Sequence, residues 1–299
     1  MKTSVIDNKN RKIKSGTQQP EKTMPQILED AQTLYSVNAP LTFALRDGAR
    51  PVSLPSRPGE GAGQYEGDHE TRTVSITNAW RLADELSLDR EGFQLVHHKT
   101  DVDFYDETER STTYEREIEA LIRQQTGARK VIVFDHTLRA GDDATRAERA
   151  VREPVQMVHN DYTDRSARQR LRDLVGDEEA EELMKGRFAI MNVWRGNRQT
   201  VESMPLAFAD ARSIDPADLI SVERRSEDRI GEIQHLVHNP NQHWYYLPKI
   251  EPNEAILIKC FDSDDTRAKL TAHTAFADPA TRADAPPRES IESRTFVFY

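Results

Sequence analysis

Lys130-Val131-Ile132-Val133-Phe134 is a run of β-branched and aromatic residues, and it marks the point where the periodicity of the chain changes. Upstream, the strongest pattern is helical: Ile118, Leu121 and Ile122 recur at helical spacing within 113–125, and a shorter helix is expected over 24–35. Downstream, strand-like segments follow at 155–162, 187–195, 206–212, 219–224, 230–237, 244–247, 255–261, 270–276 and 291–299. One helical stretch, 166–185, interrupts them. Many short strands joined by Pro, Gly, Asn and Asp turns predict a mainly β protein with flanking helices, its core a sandwich or jelly-roll barrel rather than a parallel α/β sheet. The expected organisation is a flexible, polar, Lys-rich segment over 1–24 and a single domain over 25–299, with the jelly-roll core in about 130–299. Residues 50–67, dense in Pro, Gly, Ser and charge, read as a loop outside the core.

With 299 residues the chain can bury a sizeable core without staples. Its single cysteine, Cys260, lies in the apolar run Ile256-Leu257-Ile258-Lys259-Cys260-Phe261 and reads as a small core residue. A net charge of -10 argues against a nucleic-acid partner, whose phosphates select basic surfaces. No stretch approaches the length of an apolar membrane span, and the first residues are polar rather than signal-like, so the expected setting is cytoplasmic and the expected partner a small-molecule substrate. Neither a Gly-rich phosphate loop nor a Gly-x-Ser-x-Gly turn is present, so the common nucleotide and serine-hydrolase mechanisms lack their parts.

Val158-His159-Asn160-Asp161-Tyr162 carries the first chemical signal. On an extended chain a two-residue spacing puts His159 and Asp161 on one side, where an imidazole and a carboxylate reach one ion. In a chain with nine histidines the pair alone is weak. A third candidate stands in the same strand series, His273 in Leu270-Thr271-Ala272-His273-Thr274-Ala275-Phe276. Two histidines and one carboxylate leave adjacent metal positions open, which suits Fe(II) binding a chelating co-substrate and O2 together. His97 and His98 point apart, and His235, His238 and His243 fall in a loop-rich stretch without a matched carboxylate.

A keto-acid co-substrate such as 2-oxoglutarate needs a cation for its distal carboxylate, preferably an arginine fork. Arg288 is the first choice, beside Ser290 at a strand entrance, and Arg294 of the same parity is second, facing the substrate end. Lys259, a lone cation in an apolar strand, is a rival, whereas Arg282 reads as surface charge. Asn192, Trp194 and Tyr162 are the candidate pocket residues, with a core role for Trp194 about equally supported.

The segments Phe134-Asp135-His136-Thr137-Leu138-Arg139, Val158 to Tyr162, Asn192-Val193-Trp194-Arg195, Lys259-Cys260-Phe261-Asp262-Ser263, His273 to Phe276 and Arg288-Glu289-Ser290-Ile291-Glu292 together resemble the hydroxylase/desaturase family of secondary metabolism. The likeness covers about residues 90–299 and implies a double-stranded β-helix, with His159, Asp161 and His273 as a facial triad for Fe(II) and with 2-oxoglutarate and O2 as co-substrates. It also admits homo- or hetero-oligomers, including a partner-subunit role. After Arg195 the chain departs from the family pattern at Gly196-Asn197-Arg198-Gln199-Thr200, a loop that would border the substrate. A jelly-roll binding module without turnover and a zinc hydrolase using the same ligands are the alternatives from other classes.

Overall fold

In the computed structural model, residues 36–46, 51–59, 63–226 and 229–299 are described; the expected flexible segment over 1–24 and helix over 24–35 lie outside them. Strands form at β1 Ser36–Ala44, β2 Val52–Leu54, β3 Gln64–Glu66, β4 His69–Asn78, β5 Phe93–His97, β6 Lys130–Ala140, β7 His159–Asn160 and β8 Phe188–Gly196. They continue at β9 Leu206–Ala209, β10 Leu219–Arg225, β11 Ile230–Leu236, β12 Trp244–Tyr246, β13 Glu254–Asp262, β14 His273–Ala275 and β15 Glu289–Phe298. One sheet runs β1-β4-β12-β9-β14-β7-β11-β10-β2-β3 and the other β5-β13-β8-β15-β6. The two curled sheets form the jelly roll.

Alternation on β8 and β15 assigns the faces. Phe188, Ile190, Trp194, Phe296 and Phe298 point into the core between the sheets, where Phe93 stacks on Phe208 with ring centroids 4.7 Å apart. The odd-numbered Met191, Val193, Ile291 and Val297 pack instead against Ile118, Leu121 and Ile122 of the helix Glu115–Thr126. That helix starts with Glu115 and Glu117 and stops at Gly127, whose φ of 71° closes its C-terminus. A third cluster joins β1 and β4 to the outer side of the large sheet through Leu41, Phe43, Ile76 and Trp244.

Several elements differ from the sequence reading. The β region begins well before residue 130, because β1, β4 and β5 join the sheets. Residues 50–67 are not merely a loop: β2 and β3 pair at the edge of the large sheet. The expected strand over 155–162 shrinks to β7, since the chain leaves the sheet for a helix capped by Thr163, whose side chain accepts from the Ser166 N–H. The expected helix over 166–185 is two, Asp164–Val175 and Asp177–Leu183, broken at Gly176 with φ 85°.

Candidate metal centre

β7 is short but sits between two partners. His159 pairs with His273 of β14 on one side and with His235 of β11 on the other. Asn160, on the opposite side of the strand, donates to the Tyr162 carbonyl at 2.7 Å and to Gln234 Oε1 at 2.9 Å. Those bonds hold the bend at which Asp161 leaves the sheet. Ligand atoms of His159, Asp161 and His273 consequently lie within 4.8 Å of one another. His159 Nε2 is 3.7 Å from Asp161 Oδ1, and the two imidazole centroids are 4.6 Å apart.

The donor set fits a divalent ion. His159 Nδ1 lies 2.8 Å from the Met157 carbonyl, which assigns the proton to Nδ1 and leaves Nε2 as the ligand atom. Burial, then the neighbouring His273, holds His159 well below the usual imidazole range, so it is a neutral donor. Burial opposes ionisation of Asp161, but the neighbouring Arg294 guanidinium, the largest opposing influence, overcomes that cost and holds the carboxyl well below its usual value. Asp161 Oδ2 accepts from Asn192 Nδ2 at 2.8 Å and from Arg294 Nε at 3.0 Å. Oδ1 is left to face the histidines. A cavity of about 410 Å³ opens over His159 and Asp161, with Arg139, Arg152, Arg224 and Arg294 in its wall.

The other candidates are distributed less simply. Asn192 holds the Asp161 carboxylate rather than facing open space. Trp194 is a core residue with the Arg288 guanidinium 5.0 Å above its ring. Tyr162 lines a neighbouring cavity with Arg170 and Arg224, its phenol pushed up to about 12 by burial. Arg294, expected to face the substrate end, is held by Asp161, by Asp135 at 2.5 Å and by Glu292. Lys259 does not reach the cavity: its Nζ donates to Asp89 at 2.7 Å and Asp262 at 2.8 Å. A bulge between Lys259 and Phe261 puts both Cys260 and Phe261 into the inner core and leaves Lys259 on the other side.

Arg288 is 2% exposed and donates to Ser290 Oγ at 3.0 Å and to the Met204 carbonyl at 2.7 Å, with no ion pair among the described residues. Burial, then the adjacent Arg139, pushes it down to about 9, only partly offset by Glu292. Arg282 is surface charge paired with Glu202 and Asp284. The 196–200 loop bonds to Pro287, Glu289 and Glu251 and is not in the wall of the cavity over the triad. Sequence reasoning missed Arg139, Arg152 and Arg224, which nothing in their local pattern distinguishes from ordinary surface arginines. It also set His235 aside as part of a loop-rich stretch, although the expected strand 230–237 contains it, and His235 stands on β11 beside His159.

Comparison with known proteins agrees with this geometry. Residues 41–298 match a family model described as an oxidoreductase/YMDC permease-like domain. The hydroxylase/desaturase CTB9 of Cercospora beticola is 34% identical over 94% of this chain and 91% of its own length. The Fe(II)/2-oxoglutarate-dependent dioxygenase nvfI of Aspergillus novofumigatus is 32% identical over 75% of this chain and 82% of its own. A solved structure of the iron and alpha-ketoglutarate-dependent endoperoxidase NvfI superposes with a TM-score of 0.79 at 28% identity, covering 89% of this chain and 98% of that one. The chain belongs to the hydroxylase/desaturase family of Fe(II)- and 2-oxoglutarate-dependent dioxygenases. It is accordingly an oxidoreductase, with Fe(II), 2-oxoglutarate and O2 as its cofactor and co-substrates. Among the described residues no helix is long and apolar enough to cross a membrane.

Proposed function

We propose that His159, Asp161 and His273 hold the iron, that Arg288 with Ser290 anchors the distal carboxylate of 2-oxoglutarate, and that the chain oxidises a C–H bond of a small natural product. The observation that carries the reading is the gathering of three donor side chains, Asp161 and His273 buried and His159 half-buried, with their ligand atoms within 4.8 Å beside a cavity. A cytoplasmic setting belongs to the same proposal.

Bound Fe(II) with 2-oxoglutarate and O2 supplies an oxidant able to break a C–H bond, with succinate and CO2 released. The protein's own groups prepare that chemistry. The Met157 carbonyl fixes the His159 tautomer, while Asn192 and Arg294 hold one carboxylate oxygen of Asp161 so that the other stays aimed at the metal position. Arg288 offers a buried guanidinium that has no carboxylate of its own, and a dicarboxylate co-substrate supplies one. The wall of the cavity then positions the substrate and excludes water.

Anaerobic addition of Fe(II) and 2-oxoglutarate should produce the weak visible charge-transfer band of a chelated keto acid. His159→Ala, Asp161→Ala and His273→Ala should each lose the band while keeping the far-UV circular dichroism of the parent. A variant that retains parental Fe(II) affinity and succinate production removes its residue from the triad. Tight zinc with hydrolytic turnover and no succinate would replace the oxygenase reading with a hydrolase.

A further inference from the structure

The wall of the cavity over His159 and Asp161 carries more positive charge than the co-substrate explains. Arg152 follows a backbone pinned to β6, where its N–H donates to the Leu138 carbonyl and its carbonyl accepts from Ala140. Arg224 projects from β10, between β2 and β11. Neither has an ion pair or side-chain hydrogen bond among the described residues, and each lies close enough to Arg294 or to the other to feel its charge. Arg294, by contrast, has its three carboxylates, and Arg139 donates to the Glu153 carbonyl. Among the described residues, the acids in this wall are Asp161 and Glu153, and Glu153 accepts from the Gly63 N–H.

A second observation points into the same space. Among the described residues, the Nδ1 of His235, a residue 3% exposed, has no hydrogen-bond partner, although the ring lines the cavity. The buried Tyr65 hydroxyl, on a ring 4.8 Å from His235, likewise has no partner among them. Buried donors without acceptors are costly, and here they share one wall with unpaired guanidinium groups. On the reading above, dianionic 2-oxoglutarate offsets the divalent metal and its distal carboxylate goes to Arg288, which is not in the wall of this cavity. It leaves Arg152 and Arg224 unbalanced.

We propose that Arg152 and Arg224, with the His235 imidazole and Tyr65 hydroxyl, form a second carboxylate subsite, and that the substrate is an organic acid held by its carboxylate here while its carbon skeleton reaches the metal. The proposal rests on the oxygenase reading above and names the substrate class for the same site. The apolar part of the acid would lie along Leu54, Val155 and Ile233, which line the cavity between these polar groups.

The test uses the anaerobic Fe(II) and 2-oxoglutarate complex of the full chain, with octanoate, methyl octanoate and octyl phosphate as probes, followed by calorimetry and by perturbation of the charge-transfer band. Octanoate should bind at least roughly tenfold more tightly than its methyl ester, a contrast that a charge-assisted arginine contact supplies. Arg224→Gln and Arg152→Gln should each erase most of that preference, and Arg224→Lys should restore part of it. The band formed with 2-oxoglutarate alone should persist in all three. Equal binding of acid and ester, no binding of any probe, or an unchanged preference in both glutamine variants overturns the subsite. Tighter binding of the phosphate ester than of the acid overturns the carboxylate assignment. Loss of 2-oxoglutarate binding in the glutamine variants would make these arginines the co-substrate anchor instead. Absence of the band in the parent protein sinks the iron reading itself, an outcome distinct from all of these.

Discussion

Lys259 and Arg288 compete in the sequence for one task, and in the fold both are withdrawn from water, at 0% and 2% exposure. Their surroundings are opposite. Lys259 is answered within the fold: Asp262, itself fully buried, and Asp89 accept from its ammonium, and Arg187 reinforces Asp262 at 2.6 Å. Arg288 meets a hydroxyl, a backbone carbonyl and the face of an indole, and its nearest charged neighbours include another arginine. A buried charge whose partner is present belongs to the architecture. One whose partner is missing is a place for a ligand to bring it, because removing an ion from water without compensation costs several kcal/mol.

The largest expected effect on folding stability follows from breaking the completed pair. Lys259→Met leaves Asp262 buried with Arg187 alone, and the loss should be about 3 kcal/mol of folding stability, at the lower end for a broken buried pair because Arg187 remains. Urea denaturation measures it. The folded fraction should still form the 2-oxoglutarate band, and a stable Lys259→Met protein that fails to bind 2-oxoglutarate would reverse the roles of the two cations.

Arg288→Met should show the complementary pattern. Truncating the partner of a ligand carboxylate in a dry site costs about 2 to 5 kcal/mol of binding, so the 2-oxoglutarate requirement should rise by roughly one to three decades. Stability without ligand should shift by less than about 1 kcal/mol, since two hydrogen bonds and a cation–π contact are lost as an uncompensated charge is removed. Added 2-oxoglutarate and Fe(II) should raise the melting temperature of the parent by mass action and that of the variant far less. A large loss of ligand-free stability with unchanged co-substrate binding would make Arg288 another architectural cation.

This contrast also explains what the sequence could disclose. The gathering of His159, Asp161 and His273 was legible from a two-residue spacing and a shared strand series, although the strand ends at Asn160 and a bend rather than alternation aims Asp161. The parity of β15 correctly put Arg288, Ser290 and Arg294 on one side, but the partners that separate their roles come from elsewhere: Asp161 and Asp135 for Arg294, Met204 for Arg288. Lys259 was misread because the apolar run alone does not say which face of β13 meets the inner core: Lys259 shares the side of Ala255 and Leu257, where Asp89 and Asp262 accept from it. β4 was missed because its own sequence carries little of the signal. Residues such as Thr71, Arg72 and Thr73 are exposed on a strand whose burial comes mostly from pairing with β1, so little hydrophobic alternation marks it.

The smallest effect comes from applying the same distinction within a single side chain. In Asp161, Oδ2 already has its partners, Asn192 at 2.8 Å and Arg294 at 3.0 Å, whereas Oδ1 faces His159 across 3.7 Å with room for an ion between them. At the proposed iron site, Asn192 would therefore act through the orientation of Asp161. Asn192→Ala removes one hydrogen bond to a charged acceptor, worth about 1.5 kcal/mol, and should weaken Fe(II) binding by roughly tenfold. Because Arg294 still holds Oδ2, the iron-saturated variant should bind 2-oxoglutarate within about twofold of the parent, a difference of less than about 0.5 kcal/mol. Titrating Fe(II) at saturating 2-oxoglutarate, then 2-oxoglutarate at saturating Fe(II), separates the two quantities. Unchanged Fe(II) affinity would show that Arg294 alone orients the carboxylate, and a selective loss of 2-oxoglutarate binding would place Asn192 against the co-substrate instead.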